Sequence, residues 1–151
     1  MAIKLEPLPQ RYFEDVNVGD ELPGFSYKLT WTEMVKQVSG SQDFYAVHHD
    51  PEFAKSGGHK DIFYNTGWTR ANLYRLLADF AGPDGWVRRL HFEMRRMHRP
   101  NNTITVRGRV VGKEQTEEGN AVDIELWIEN DEEGIATPAT GRVLLPSRSD
   151  S

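Results

Sequence analysis

Apolar and polar positions alternate through the second half of the chain. Leu90, Phe92 and Met94 alternate with Arg89, His91, Glu93 and Arg95, and Ile104, Val106 and Val110 with Thr105, Arg107 and Arg109. Val122, Ile124, Leu126 and Ile128 alternate with Asp123, Glu125, Trp127 and Glu129, and Ala139, Gly141, Val143 and Leu145 close the series. Side chains on a strand point to opposite faces in turn, so the pattern predicts an antiparallel sheet with one buried face. Upstream, between Thr66 and Ala81, Leu73, Leu76, Leu77 and Phe80 fall at i, i+3, i+4 and i+7, which predicts one long helix stopped by Gly82-Pro83-Asp84-Gly85. Thr30 stands three residues before Glu33, the spacing of a capping box, and predicts a short helix to about Val38, ended by Ser39-Gly40. Pro51 suits the first position of a helical turn over residues 51–55, with Asp50 as its N-cap. The first 25 residues carry Pro7, Pro9, Gly19, Pro23 and Gly24 and read as an arm leading into a strand over residues 25–29. A helix with one apolar stripe and a sheet with one apolar face must cover each other. The expected architecture is therefore α+β, a long helix against a curved antiparallel sheet. It fills a single domain over residues 1–151, with an N-terminal arm at 1–10 and a flexible tail at 147–151.

Composition narrows what such a domain does. At 151 residues, with 38% hydrophobic and 27% charged residues, the chain is one domain that needs neither metal nor disulfide to fold. Having no cysteine, it has no thiol nucleophile and no thiolate metal site. A net charge of −5 argues against nucleic acid as the main partner. No apolar run approaches the roughly 20 residues of a membrane span. Residues 1–10 lack the apolar core of a signal peptide, so the expected location is the cytoplasm. Charge is uneven, however. Residues 84–110 hold seven arginines against two acids, and residues 114–134 hold nine acids without a Lys or Arg. Cross-strand ion pairing between neighbouring strands is the favoured reading; a surface for a phosphorylated ligand is the other, since Arg presents a planar fork to phosphate.

The unusual chemistry lies in residues 41–61. Asp43 and His48 stand five positions apart, with Phe44, Tyr45 and Val47 around them. A carboxylate and an imidazole in a sheltered loop can hold one water between them, one taking a proton while the other gives or relays one. The spacing alone is weak evidence, because a loop Asp more often caps a helix or closes a turn. His48, His49, Asp50 and His59 could also be read as metal ligands, but adjacent histidines rarely both reach one ion, so no metal is expected. Tyr64, Trp68 and Tyr74 lie near or on the long helix, where aromatics are more often core than lining of a ligand tunnel. His91 and His98 are expected at the surface, on strand positions among arginines.

The stretch Gln42-Asp43-Phe44-Tyr45-Ala46-Val47-His48-His49-Asp50-Pro51-Glu52-Phe53-Ala54 resembles the hydratase motif of the MaoC-like enoyl-CoA hydratases. That motif runs Gly-Asp-x-Asn-Pro-(Leu/Ile/Val)-His-x-Asp-Pro-x-(Phe/Tyr)-Ala. Val16-x-Val18-Gly19-Asp20, Asp61-Ile62-Phe63-Tyr64-Asn65-Thr66-Gly67, Gly82-Pro83-Asp84 and Arg88-Arg89-Leu90 extend the resemblance over nearly the whole chain.

The resemblance implies a hotdog fold, in agreement with the architecture read from periodicity. It implies hydration of trans-2-enoyl-CoA thioesters to (R)-3-hydroxyacyl-CoA, or the reverse dehydration, without metal or redox cofactor. By position, Asp43 and His48 would be the catalytic pair, and a backbone N–H of Thr66 or Gly67 at the helix start would stabilise the thioester oxyanion. Tyr45, Tyr64, Asn65, Trp68 and Arg89 are the substrate-binding candidates, Arg89 with Arg88, Arg95, Arg96 and Lys60 being candidates for coenzyme A phosphates. Tyr45 and Ala46 replace the motif's Asn and Pro, and Asn65 and Thr66 stand where the commoner pattern has Pro and Gly. These departures resemble the small subunits linked to steroid and other bulky acyl-CoA breakdown. A homodimer or higher assembly is implied, or a heteromer with a second MaoC-like chain. The alternatives are a hotdog acyl-CoA thioesterase and a noncatalytic acyl-CoA-binding partner subunit.

Overall fold

The computed structural model describes residues 9–150; residues 1–8, most of the expected arm, and residue 151 lie outside them. Five strands, β1 (Phe25–Lys28), β2 (Trp86–Phe92), β3 (Thr103–Thr116), β4 (Gly119–Asn130) and β5 (Gly134–Leu145), form one sheet in the order β1-β3-β4-β5-β2. Every pairing is antiparallel. Register shifts between Val87 and Arg89, Val110 and Gly112, and Ile128 and Glu129 bend the sheet, as bulges do. The helices are α1 (Trp31–Ser41), α2 (Pro51–Ser56) and α3 (Thr66–Ala81).

The 3.6-residue spacing that predicts α3 also decides what it buries. Leu73, Leu76, Leu77 and Phe80 are enclosed with Ile104, Val106, Ile124, Leu126, Ile128 and Val143 of the sheet. Close approach to β5 requires Gly141, where a Cβ would sit 2.7 Å from Leu77 Cδ1. At the far end of α3, the Gln10 side chain donates to Ala81 O (2.9 Å) and accepts from Asp84 N–H (2.8 Å). That contact closes the helix end left by the left-handed Gly82. The nominal tail is held as well, because Ser147 Oγ bonds Glu14 and Arg148 pairs with Asp15.

Outside, cross-strand ion pairs join Arg107 to Glu129, Arg109 to Glu125 and Arg142 to Asp123. Much of the basic and acidic segregation in the sequence is thus neighbouring strands neutralising each other.

Two expectations need correction. Ser39-Gly40 does not end α1, which continues to Ser41 and stops where Gln42 turns left-handed at φ 57°. Gly40 is permissive enough to stay helical at a cost of about 1 kcal/mol, and Ser41 Oγ ties itself back to Gln37 O at 2.7 Å. His98 is not on a surface strand. Only 1% of it is exposed, its ring lies 5.6 Å from Trp68, and burial pulls its pKa down to about 4.

Candidate active site

Three short elements deliver the residues. Thr30 Oγ1 caps α1 at Glu33 N–H, α1 carries the chain to Ser41, and Asp43 follows the left-handed residue. A 3-10 turn over Ala46–His48 then points the imidazole inward. Asp50 accepts from Glu52 and Phe53 N–H, starting α2 at Pro51 as its sequence predicts. Finally Phe63 and Tyr64 bring the chain to Asn65, the N-cap of α3.

His48, 6% exposed, places Nδ1 2.7 Å from Phe63 O. A carbonyl only accepts, so Nδ1 carries the proton, and in the neutral ring Nε2 is left with its lone pair. That nitrogen lies 3.4 Å from Asp43 Oδ2, whose side chain is 40% exposed. Asn65 Nδ2 donates to the same oxygen at 2.8 Å, and Tyr45 N–H donates to Oδ1 at 3.4 Å. The hydrogen bond from Asn65, then the one from Tyr45 N–H and the nearby His48, outweigh desolvation and hold the Asp43 carboxyl below the usual carboxylate range.

Asn65 Oδ1 accepts from Trp68 N–H at 2.9 Å. The two earlier amides, Thr66 and Gly67, have no partner within the helix, and they sit at its positive end. A carboxylate and an imidazole nitrogen thus meet beside Asn65, the residue that caps the two amides at the start of α3; an acid–base pair can hold a water, and helix-start amides a developing oxyanion.

A groove of about 270 Å³ opens beside His48, lined by Trp31, Met34, Val35, Val38, Phe44 and Ile62 among others. Trp31, Val35 and Phe44 are exposed. Sequence reading missed this groove, although its signal was present: residues 31, 34, 35 and 38 fall at i, i+3, i+4 and i+7, a second apolar stripe. Phe63 and Ser41 were missed too. They act through a backbone carbonyl and a shared hydroxyl, for which residue type carries no signal.

No family model matches the chain. A chain of the ChsH1–ChsH2 complex from Mycobacterium tuberculosis superposes with a TM-score of 0.76 at 26% identity, over 85% of this chain and 98% of that one. A MaoC-like dehydratase from Rhodospirillum rubrum superposes at 0.77 with 19% identity, over 91% and 98% of the two chains. The beta subunit of 3-oxo-4,17-pregnadiene-20-carboxyl-CoA hydratase from Mycobacterium tuberculosis is 30% identical over 93 residues, 62% of this chain and 72% of its own. The chain belongs to the MaoC-like hydratase family, in its small-subunit group. Its fold is the hotdog fold.

Within this MaoC-like chain the anticipated site residues separate. Asp43, His48 and Asn65 are brought together, and Thr66 and Gly67 follow Asn65 as the first residues of α3. Tyr45 is exposed, its ring 5.8 Å from Phe53 and 6.3 Å from His48. Tyr64 does not face the site. It is 1% exposed and gives its hydroxyl to Thr30 O, because the residue before the N-cap points into the core; burial pushes its phenol up. Trp68 packs between Tyr64 and His98. Arg89 lies on the outward side of β2, and its charged neighbour is Asp123 at 3.9 Å. Of the other histidines in this stretch, His49 Nε2 meets Phe44 O, and His59 packs on the Phe63 ring, which His48 also meets. Among the described residues no helix is long and apolar enough to cross a membrane.

Proposed function

We propose that this chain adds water to trans-2-enoyl-CoA thioesters to give 3-hydroxyacyl-CoA, or runs the reverse dehydration, with Asp43 and His48 as its catalytic pair. The observation that carries the proposal is the 3.4 Å approach of Asp43 Oδ2 to His48 Nε2, with Nδ1 fixed on Phe63 O. Two acceptors that face each other are bridged by a molecule that donates twice, and water does so. In the hydration, the water oxygen bonds C3 while one water proton passes to the pair. The C2–C3 π electrons move toward the thioester oxygen, where the Thr66 and Gly67 amides receive the negative charge. The electron pair then returns to take a proton at C2 from the pair, restoring Asp43 and His48 and completing the addition of one water.

The apolar groove fits the acyl part. Its flat, exposed walls, Trp31 and Phe44, suit a bulky, ring-bearing acyl group like the one in the name of the mycobacterial relative. The groove's exposed rim and the two-chain assembly of the solved neighbour favour work beside a second MaoC-like chain.

The test follows a series of enoyl-CoAs, from crotonyl to steroid side-chain esters, by loss of the conjugated enoyl absorbance and by thiol release. The chain is assayed alone and with a second MaoC-like chain. Hydration that disappears in folded Asp43→Asn supports the proposal. Thiol release without hydration makes the chain a thioesterase. Turnover that survives Asp43→Asn moves the chemistry to the other chain and leaves this one a binding subunit.

A further inference from the structure

Asn65 makes two contacts from one side chain. Its amide orientation is not free: Oδ1 must face Trp68 N–H (2.9 Å), because an NH₂ there would meet another donor. Nδ2 is thereby turned toward Asp43 Oδ2 (2.8 Å) and Ser41 Oγ (3.3 Å). Among the described residues, no other neutral side chain donates to Asp43. Tyr45, in the motif's asparagine position, turns its ring to Phe53 and reaches Asp43 only through its backbone N–H.

We infer that Asn65 is a positioning residue, which locks the Asp43 carboxylate onto His48 and fixes it relative to the first amides of α3. The inference rests on the reading of Asp43 as a catalytic group and goes beyond it. One planar amide couples the water-holding carboxylate to the oxyanion-holding helix start, 22 residues away in sequence. An Asn serving only as a cap would be replaceable by Ser or Asp, which cap equally well. An Asn holding Asp43 is replaceable by neither, because Ser cannot reach Asp43 while capping and Asp sets a second carboxylate against the first.

The experiment compares wild type, Asn65→Ser and Asn65→Asp for Tm, kcat and KM, and for the midpoint of the Asp43 carboxyl titration by carbon-13 NMR. The expected result is an unchanged Tm in at least one variant. In that variant kcat falls about tenfold or more with KM little changed, as for a reacting group displaced by a fraction of an ångström. The Asp43 titration moves upward in both variants, by about one pH unit or more in Asn65→Asp. An unmoved titration in both variants overturns the inference, as does a moved titration with unchanged kcat. If the wild type turns over no enoyl-CoA, the functional reading has failed, and the titration alone decides whether Asn65 holds the carboxylate.

Discussion

Two buried histidines lie near the start of α3 and are built for opposite ends. His48 has one nitrogen fixed on a backbone carbonyl and the other presented to a half-exposed carboxylate beside an open groove. His98 has both nitrogens turned to neutral partners, Thr137 Oγ1 at 3.2 Å and Asn130 Nδ2 at 3.4 Å. Its ring lies by Trp68, and its own carbonyl accepts from Tyr64 N–H at 2.9 Å. Burial is therefore a poor guide to reactivity. A nitrogen left free to exchange a proton with something that can leave or enter is a better one.

The largest effect belongs to Asp43→Asn, which keeps the shape but loses the charge opposite His48. It should lower kcat/KM for enoyl-CoA hydration by roughly 100- to 10,000-fold with little change in Tm. Next comes the pH dependence of stability. His98 titrates at about 4 in the fold against 6.5 unfolded, so between those values the unfolded chain binds the extra proton. Stability is then fully present above about pH 6.5 and falls as the pH drops toward 4, by about 3 kcal/mol in all. Denaturant melts at pH 7, 6, 5 and 4 should show this loss in wild type and not in His98→Gln. Glu132, held down to about 2 by Asn102, Arg99 and Lys60, adds its own loss only below about pH 4.5. Smaller again is Thr137→Val, which removes one partner of His98. It should cost about 1 kcal/mol by chemical denaturation and leave kcat unchanged; a kcat that fell with it would mean that His98 is not a bystander to the chemistry.

Much of this difference is legible in sequence only on the His48 side. The Asp50 cap and the bounds of α3 follow from local rules, since caps and apolar periods act over three or four residues, whereas the Asp43–His48 pair stands out only through the motif it resembles, its spacing alone favouring a cap or a turn. The strands were legible for the same reason, because alternation is local. His98 was not, because Met97-His98-Arg99-Pro100 has no period, and its burial is decided by Trp68, Asn130 and Thr137, between 30 and 39 residues away. Tyr64 is core, as its aromatic type alone favours, and not the substrate candidate that the resemblance implies; the residue type fits both settings and only the direction of one residue before a cap separates them. Asn65 is a substrate-binding candidate in the sequence, which carries no sign of its donation to Asp43, a contact that only the folded α1 and α3 ends create.

The most direct test of the account sets the two histidines side by side. Enoyl-CoA hydration is measured for His48→Gln and His98→Gln at pH 7, each corrected for its folded fraction. A working Asp43–His48 pair predicts that kcat/KM falls about 100-fold or more in the first and changes by less than about threefold in the second, where packing alone is disturbed. Equal losses, or a His48→Gln chain as active as wild type, would contradict it.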